Sequence, residues 1–208
     1  MFRLPWNPPM TKSQLQAISD PQSAGQPECI PWILYDSATF TTNSTTSMTL
    51  FQTVQTDKTL GNMQSAGQLP DPQHFLLHYV TFDVLTQVTT TSGGVAGALN
   101  DIELIMKVGR PTFTLTMADK QYGPFPLRAC HALGGATGGA AGTWTAEENL
   151  SWANNGIPGG GGYPFGGAVV IPPKVGFSVR IDWAAVQVTV GSPVCSMGLA
   201  GVLYRKVL

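Results

Sequence analysis

Two pairs of residues in this 208-residue sequence have types and spacings that suggest chemistry. His74 and His78 are four residues apart, a spacing that on a helix would place both imidazoles on one face and suit a metal ion. The surrounding pattern predicts a strand, in which the two side chains would lie roughly 13 Å apart. Glu147 and Glu148 begin a short predicted helix at 146–153, where the helix dipole favours negative charge. Neither pair predicts a catalytic or metal site.

The glycine clusters resemble phosphate-binding loops in composition alone. A P-loop requires the sequence GK[ST] between a strand and a helix. The clusters all lie in a glycine-rich segment, 131–166, which contains no Lys or Arg to meet a phosphate. The sequence also lacks a GxSxG motif and a recognisable Ser/His/Asp set. We therefore predict no catalytic residue, no bound metal and no cofactor.

Tryptophans and cysteines are the remaining candidates for a binding site or a redox site. The tryptophans, whose rings are suited to stacking on sugars, are Trp6, Trp32, Trp144, Trp152 and Trp183. Trp183 ends an apolar strand phase and is predicted to be in the core, whereas Trp144 and Trp152 lie in the glycine-rich segment. Cys29, Cys130 and Cys195 are far apart and form no CxxC motif. An odd number without a framework predicts free, buried thiols in a reducing compartment.

The low charge of the chain is its most informative bulk property. Only 11% of the residues are charged, whereas about 25% is usual. Because surface charge keeps soluble monomers dispersed, a chain with 43% hydrophobic residues and so little charge is expected to cover much of its surface with other chains. A β-protein coated with Thr and Ser, soluble as a monomer, is the alternative.

The net charge and the distribution of apolar residues exclude several other classes of protein. A formal net charge of −1 argues against a nucleic-acid-binding domain. No apolar run approaches the ~18 residues of a transmembrane helix. The first residues include no apolar h-region, so we expect no signal peptide.

The elements that would position any site are predicted to be strands. The sequence contains 24 glycines and 16 prolines, which suits short strands joined by tight turns. Alternation of apolar and polar residues is clearest at 99–108, 112–118 and 175–183. In 74–88, one phase carries Leu76, Val80, Phe82, Val84 and Val88. The full set of predicted strands is 30–40, 45–54, 74–88, 99–108, 112–118, 168–171, 175–183, 186–190 and 195–207.

These strands predict an all-β fold. The count is eight, or nine if 186–190 is separate, and the best match is an antiparallel jelly-roll sandwich. An immunoglobulin-like sandwich is the alternative. We divide the chain into an extended arm at 1–29 and a jelly-roll domain at 30–208, with the glycine-rich segment 131–166 as an insertion.

The Pro-rich N-terminal arm is the predicted assembly element. Prolines disfavour the α region for the residues before them, so 4–9 should be extended or polyproline II. An apolar, stiff segment of this kind is suited to dock on another subunit, and we expect the interface to include Trp6, Pro8 and Pro9. The alternative is that the arm folds back over an edge of its own sandwich.

Several stretches in the second half of the sequence resemble a known family of proteins. They are the strand–turn–strand GGAVVIPPKVGFSVRIDW at 166–183, the segments at 99–109 and 112–115, and YGPFPL at 122–127. Together they resemble single jelly-roll virion structural proteins, of the capsid type, from tailless icosahedral bacteriophages. The resemblance covers 99–208. It departs in the arm, which holds only Arg3 and Lys12 where genome-contacting coat proteins often carry a basic arm.

The resemblance implies a non-enzymatic virion protein, a capsid shell, vertex or decoration subunit acting by self-assembly. Its partners would be copies of itself and other virion proteins, with no direct contact to nucleic acid and no transmembrane segment. It would be located in the virion, assembled in the host cytoplasm. A lectin-like sandwich that binds carbohydrate or a receptor on a phage appendage is the alternative. An enzyme whose site has no recognisable motif is a third hypothesis.

Overall fold

A computed structural model describes residues 27–85, 101–102, 104–130, 162–189 and 191–206. These residues form an all-β structure with short helical stretches at 101–102, at Leu104–Val108 (π-helical) and at Leu127–Ala129 (3-10). The strands are β1 (Pro27–Thr39), β2 (Ser47–Leu50), β3 (His74–Leu85), β4 (Thr112–Met117), β5 (Lys120–Pro126), β6 (Tyr163–Ile171), β7 (Phe177–Asp182) and β8 (Val194–Lys206).

The strands form two four-stranded antiparallel sheets that pack as a sandwich. Sheet A has the order β1-β8-β3-β6, and sheet B has the order β2-β7-β4-β5. The predicted all-β antiparallel sandwich is therefore confirmed. The first 26 residues of the predicted arm, and positions 131–161 of the glycine-rich segment with its predicted helix, lie outside the described residues.

The core lies between the sheets and follows the predicted alternation where sheet B is regular. In the centre of that sheet, Phe113 pairs with Ile181 and Leu115 pairs with Val179. All four side chains are fully buried. The period-2 predictions for 112–118 and 175–183 are confirmed, because each strand turns alternate side chains toward the same core.

A bulge in β3 makes part of the predicted phase wrong. The register of β3 shifts between Leu77 and Tyr79 against both of its neighbours. Before the shift, Phe75 and Leu77 belong to the core, and after it Val80 and Phe82 do. Leu76, predicted on the core phase, is therefore on the opposite face. An extra residue in one strand reverses the alternation of everything beyond it.

The strand predicted at 99–108 is wrong for the residues that the structure describes. Residues 101–102 are helical, and Leu104–Val108 forms a π-helical turn. Ile105, the exception to the predicted alternation, is fully buried, while Val108 is exposed. The Gly109 N–H donates to the Leu104 carbonyl at 3.0 Å, five residues back. The periodicity of a short apolar run does not distinguish a strand from a helix, and this run forms a helical turn.

The short strand predicted at 186–190 is also wrong over 186–189, which belongs to no strand or ladder. Its backbone bonds instead to a turn, because the Asn43 N–H donates to the Gln187 carbonyl at 3.0 Å. Residue 190 lies outside the described residues. The alternation of apolar residues here corresponds to alternating burial without strand pairing.

Candidate functional site

The residues predicted for the assembly interface, Trp6, Pro8 and Pro9, lie outside the described residues. The arm is continuous with β1, which is an edge strand of sheet A. Edge strands present unpaired backbone N–H and C=O groups that favour association with other chains. The edge of β1 is therefore the candidate functional site that the structure describes.

The second half of the β1 edge is closed by the loop that follows β2. The Tyr35 N–H donates to Asn62 Oδ1 at 2.9 Å, and the Asn62 N–H donates to the Tyr35 carbonyl at 3.1 Å. Asn62 Nδ2 also donates to the Ile33 carbonyl at 2.7 Å. Further along, Gln55 Nε2 donates to the Ser37 carbonyl at 3.2 Å. Side chains and backbone of one loop thus occupy the edge from Ile33 to Ser37.

The first half of β1 carries a different protection. Backbone groups of alternate residues in a strand point to the same side, so Pro31 points outward as Ile33 and Tyr35 do. Proline has no N–H and interrupts any ladder that an incoming strand would form. Next to it, Trp32 is 41% exposed and Ile33 is 42% exposed. This part of the edge favours docking through apolar side chains over generic strand pairing.

A buried carboxylate fixes the loop against β1. Asp36 is 2% exposed, and its oxygens accept from the N–H groups of Phe51 and Ser37 and from Gln55 Nε2. Phe51 adopts a left-handed φ of 68°, which ends β2 well before the predicted limit at residue 54. A Cβ at Gly61 would come within 3.0 Å of Asp36 Oδ1. Since its partners are donors from its own chain, we assign Asp36 to loop positioning.

The opposite side of the sandwich is closed by an aromatic cluster between β5 and β6, the edge strands of sheets B and A on that side. Its rings have centroids 4.8 to 6.2 Å apart, several of them in edge-to-face contact. Such pairs add to the stability gained by burial alone. The members are Phe113, Tyr122, Phe125, Tyr163 and Phe165. The cluster was not predicted, because Tyr163 and Phe165 lie in the segment assigned to the glycine-rich insertion 131–166, whereas β6 already begins at Tyr163 and not at the predicted residue 168.

The titratable residues singled out from the sequence do not converge. Among the described residues, no group of three or more His, Cys, Asp or Glu side chains is arranged to hold a metal ion. His74 and His78 both lie on β3, as predicted for strand residues. Burial lowers the pKa of His78 below its usual value, which favours the neutral imidazole. Glu147 and Glu148 lie outside the described residues.

The thiols are free, and their environments differ. Burial raises the pKa of Cys130 and that of Cys195 to about 12, and both side chains are fully buried. The prediction of buried thiols is confirmed for these two and wrong for Cys29, which is exposed at the start of β1. An edge strand has no neighbour on one side, which explains this exposure.

The two tryptophans that the structure describes differ in their surroundings: Trp183 is buried and Trp32 is exposed. Trp183 is 4% exposed, its Nε1 donates to the Ile105 carbonyl at 3.0 Å, and its ring meets Phe40 edge to face at 5.1 Å. Its predicted place in the core is confirmed. Trp32 remains exposed on the edge of sheet A. Trp144 and Trp152 lie outside the described residues, so those described provide no joint sugar-stacking platform.

No family model, curated protein or solved structure matches this chain significantly. Of the helical segments that the structure describes, none is long and apolar enough to cross a bilayer. The function must therefore be inferred from the strand pairing, the exposed apolar side chains and the charge of the chain.

Proposed function

We propose that this chain is a non-enzymatic structural protein of a bacteriophage virion, a shell, vertex or decoration subunit that acts by self-assembly. We infer also that its sandwich is a jelly roll. The observation that carries the proposal is the pairing of strands from opposite parts of the chain. The pairs are β1 with β8, β2 with β7, β3 with β6, and β4 with β5.

These four pairs have the order of one long antiparallel ribbon with the β4–β5 hairpin at its tip. Folding such a ribbon into two sheets gives eight strands with Greek-key connections, the arrangement of jelly rolls in viral capsids and lectins. An immunoglobulin-like sandwich places its first two strands in one sheet. Here β1 and β2 belong to different sheets, which favours the jelly roll over that alternative.

The composition supports assembly as the function. With 11% charged residues, the chain has little of the surface charge that keeps monomers apart. The exposed Trp32 and Ile33 lie on the strand that continues from the arm. We propose that the arm, through Trp6, Pro8 and Pro9, contacts neighbouring subunits, and that the partners are copies of this chain and other virion proteins.

The net charge of −1 argues against nucleic acid as a binding partner. Affinity for DNA depends on the number of phosphates that Lys and Arg neutralise, and we expect no direct genome contact. Fluorescence anisotropy with a labelled duplex should show no binding tighter than about 1 μM at about 0.15 M salt. Saturable binding below that concentration would contradict this part of the proposal.

Mass and appearance test the proposal directly. Light scattering of the purified chain over a range of concentrations should show large oligomers, and negative-stain microscopy should show particles of regular size. A small species that binds glycans on an array would instead favour the lectin-like alternative, since jelly rolls also occur in lectins. A monomer at every concentration, with no glycan affinity, would overturn both hypotheses.

A further inference from the structure

The segment that follows β7 turns its apolar side chains outward and its polar side chains inward. Val186 and Val188 are 46% and 63% exposed, whereas Gln187 and Thr189 are 7% and 5% exposed. A surface segment of a monomer gains from the reverse arrangement, because burial of valine is favourable and burial of a polar side chain is costly unless it is hydrogen-bonded. The inverted alternation therefore requires an explanation.

Hydrogen bonds hold the segment in this orientation. Thr42 Oγ1 accepts from the Thr189 N–H at 3.0 Å and donates to the Thr189 carbonyl at 3.1 Å. Thr189 Oγ1 in turn donates to the Gly191 carbonyl at 2.8 Å. Gln187 Nε2 donates to the Ala185 carbonyl at 2.9 Å. The two buried polar side chains are thus satisfied, and rotating the valines inward would break these bonds.

Further apolar residues are exposed at the same end of the sandwich. The π-helical turn lies beside this segment, since the Ala184 N–H donates to the Gly109 carbonyl at 3.0 Å, and Val108 at its end is 57% exposed. Leu85, 47% exposed, ends β3 opposite Val194. Four of the seven large apolar side chains exposed among the described residues are therefore at one end.

We propose that Val108, Val186 and Val188, the valine patch, form a contact with a second copy of this chain. No charged residue stands between Asp182 and Arg205, so the segment that carries Val186 and Val188 is uncharged, whereas Lys107 and Arg110 flank Val108 in the sequence. Interface cores are depleted of charged residues in this way. With only these two cations beside it in the sequence, the patch can neutralise few phosphates of a nucleic acid or an anionic membrane, whereas another copy of this chain, with 11% charged residues, offers apolar surface against which the valines can pack.

The contact rests on the proposed function, which brings many copies together. The patch lies after the end of β7 and before β4, at the end of the sandwich opposite to Pro27, the first residue of β1. The valine patch belongs to no ladder, so it would associate through side-chain packing without extending a sheet.

The double variant Val186→Thr with Val188→Thr tests the contact with little change of shape. Both residues are β-branched and exposed, so the thermal midpoint of the dilute, monomeric variant should equal that of the wild-type chain. The concentration at which oligomers form, measured by light scattering, should rise roughly tenfold or more. Val54→Thr, at a 43% exposed position in the loop after β2, is the matched control and should assemble like the wild type.

Val188→Asp, at the most exposed position of the patch, gives a second variant, and it should block assembly without lowering the thermal midpoint of the monomer. If both variants assemble like the wild type, the valine patch contact is overturned, and the proposed function stands. A large fall in the midpoint of both monomers would also overturn it, since the valines would then stabilise the fold. A wild-type chain that never assembles would contradict the proposed function as well.

Discussion

Single polar residues do much to define this sandwich, and each acts through backbone groups. Asp36 accepts three N–H donors at a place where an unpaired carboxylate would be strongly unfavourable. Asn62 donates to and accepts from the backbone of β1 as a neighbouring strand would. Thr42 does the same for the segment after β7. Such residues look unremarkable in a sequence because their role depends on a backbone partner far along the chain.

The thiols provide a prediction from the pKa shifts. A thiolate is the reactive form, and burial raises the pKa of Cys130 and that of Cys195 to about 12. Burial raises the pKa of Cys29 as well, but this thiol is exposed, so at pH 8 the native, monomeric chain should react with a chromogenic disulfide reagent at one thiol, Cys29, and the unfolded chain at three. Native Cys29→Ser should show no fast reaction. Rapid modification of two or three thiols in the native protein would contradict the core described here.

The phase of β7 gives a second prediction for single residues. Ile181 is fully buried between the sheets, so Ile181→Ala should leave a cavity and cost about 2–5 kcal/mol in the free energy of unfolding. Ser178 is on the other phase and only half-buried, so Ser178→Ala should cost less than about 1 kcal/mol. Urea denaturation of both variants measures the difference, and equal losses would show that both faces of the strand are covered.

Among the elements, the regular strands with one buried face could be predicted from the sequence. β4 and β7 are regular, half-buried strands, and their alternation located both strands and their core residues. Leu104–Val108 was misread because its apolar residues fit two periods, and its form is fixed by contacts with Gly109 and Trp183. The bulge in β3 was not predictable because nothing local marks the extra residue. The closure of the β1 edge was not predictable either, because it depends on Asn62 and Gln55 in the loop after β2, far from β1 in the sequence.

The bulge leads to a prediction for Gly201. β8 passes β3 beside the register shift, and a Cβ at Gly201 would lie 1.9 Å from the Leu76 carbonyl oxygen. Because that neighbour is backbone and cannot move aside, Gly201→Ala should destabilise the fold by about 1–3 kcal/mol or more. Gly176 has nothing within 4 Å of its Cβ position, so Gly176→Ala is the matched control. Similar thermal midpoints for the two variants would mean that β3 and β8 are less closely packed.

For the whole molecule, the sequence predicted the class of fold but not which residues of distant strands pair with each other. β1 and β8 pair in register from Pro27 with Lys206 to Thr39 with Val194, across nearly the full length of the chain. Pairing at such separation depends on how both sheets pack together, and local patterns do not encode it. Low charge, in contrast, is a property of the whole sequence, and it indicates self-association without any knowledge of the fold.

The arm is the element through which association can be tested most simply. Residues 1–10 contain Phe2, Leu4, Trp6 and Met10 with three prolines. Prolines limit the conformations of an unbound chain, which lowers the entropy lost when it is ordered. Trp6 is of the residue type that most often anchors an interface. We therefore expect deletion of residues 1–10 to abolish assembly in light scattering while the far-UV spectrum of the monomer remains that of a β-protein.

The thermal midpoint distinguishes an intermolecular arm from one that covers its own sandwich. If the arm binds a neighbour, the truncated monomer should melt at the same temperature as dilute, monomeric full-length chain. Trp6→Ala in the full-length chain should weaken assembly in the same direction, and Thr11→Ala, just beyond the deleted residues, should not. A truncated monomer that melts far lower would place the arm on its own sheet edge, and unchanged assembly would show that the arm is not the contact between subunits.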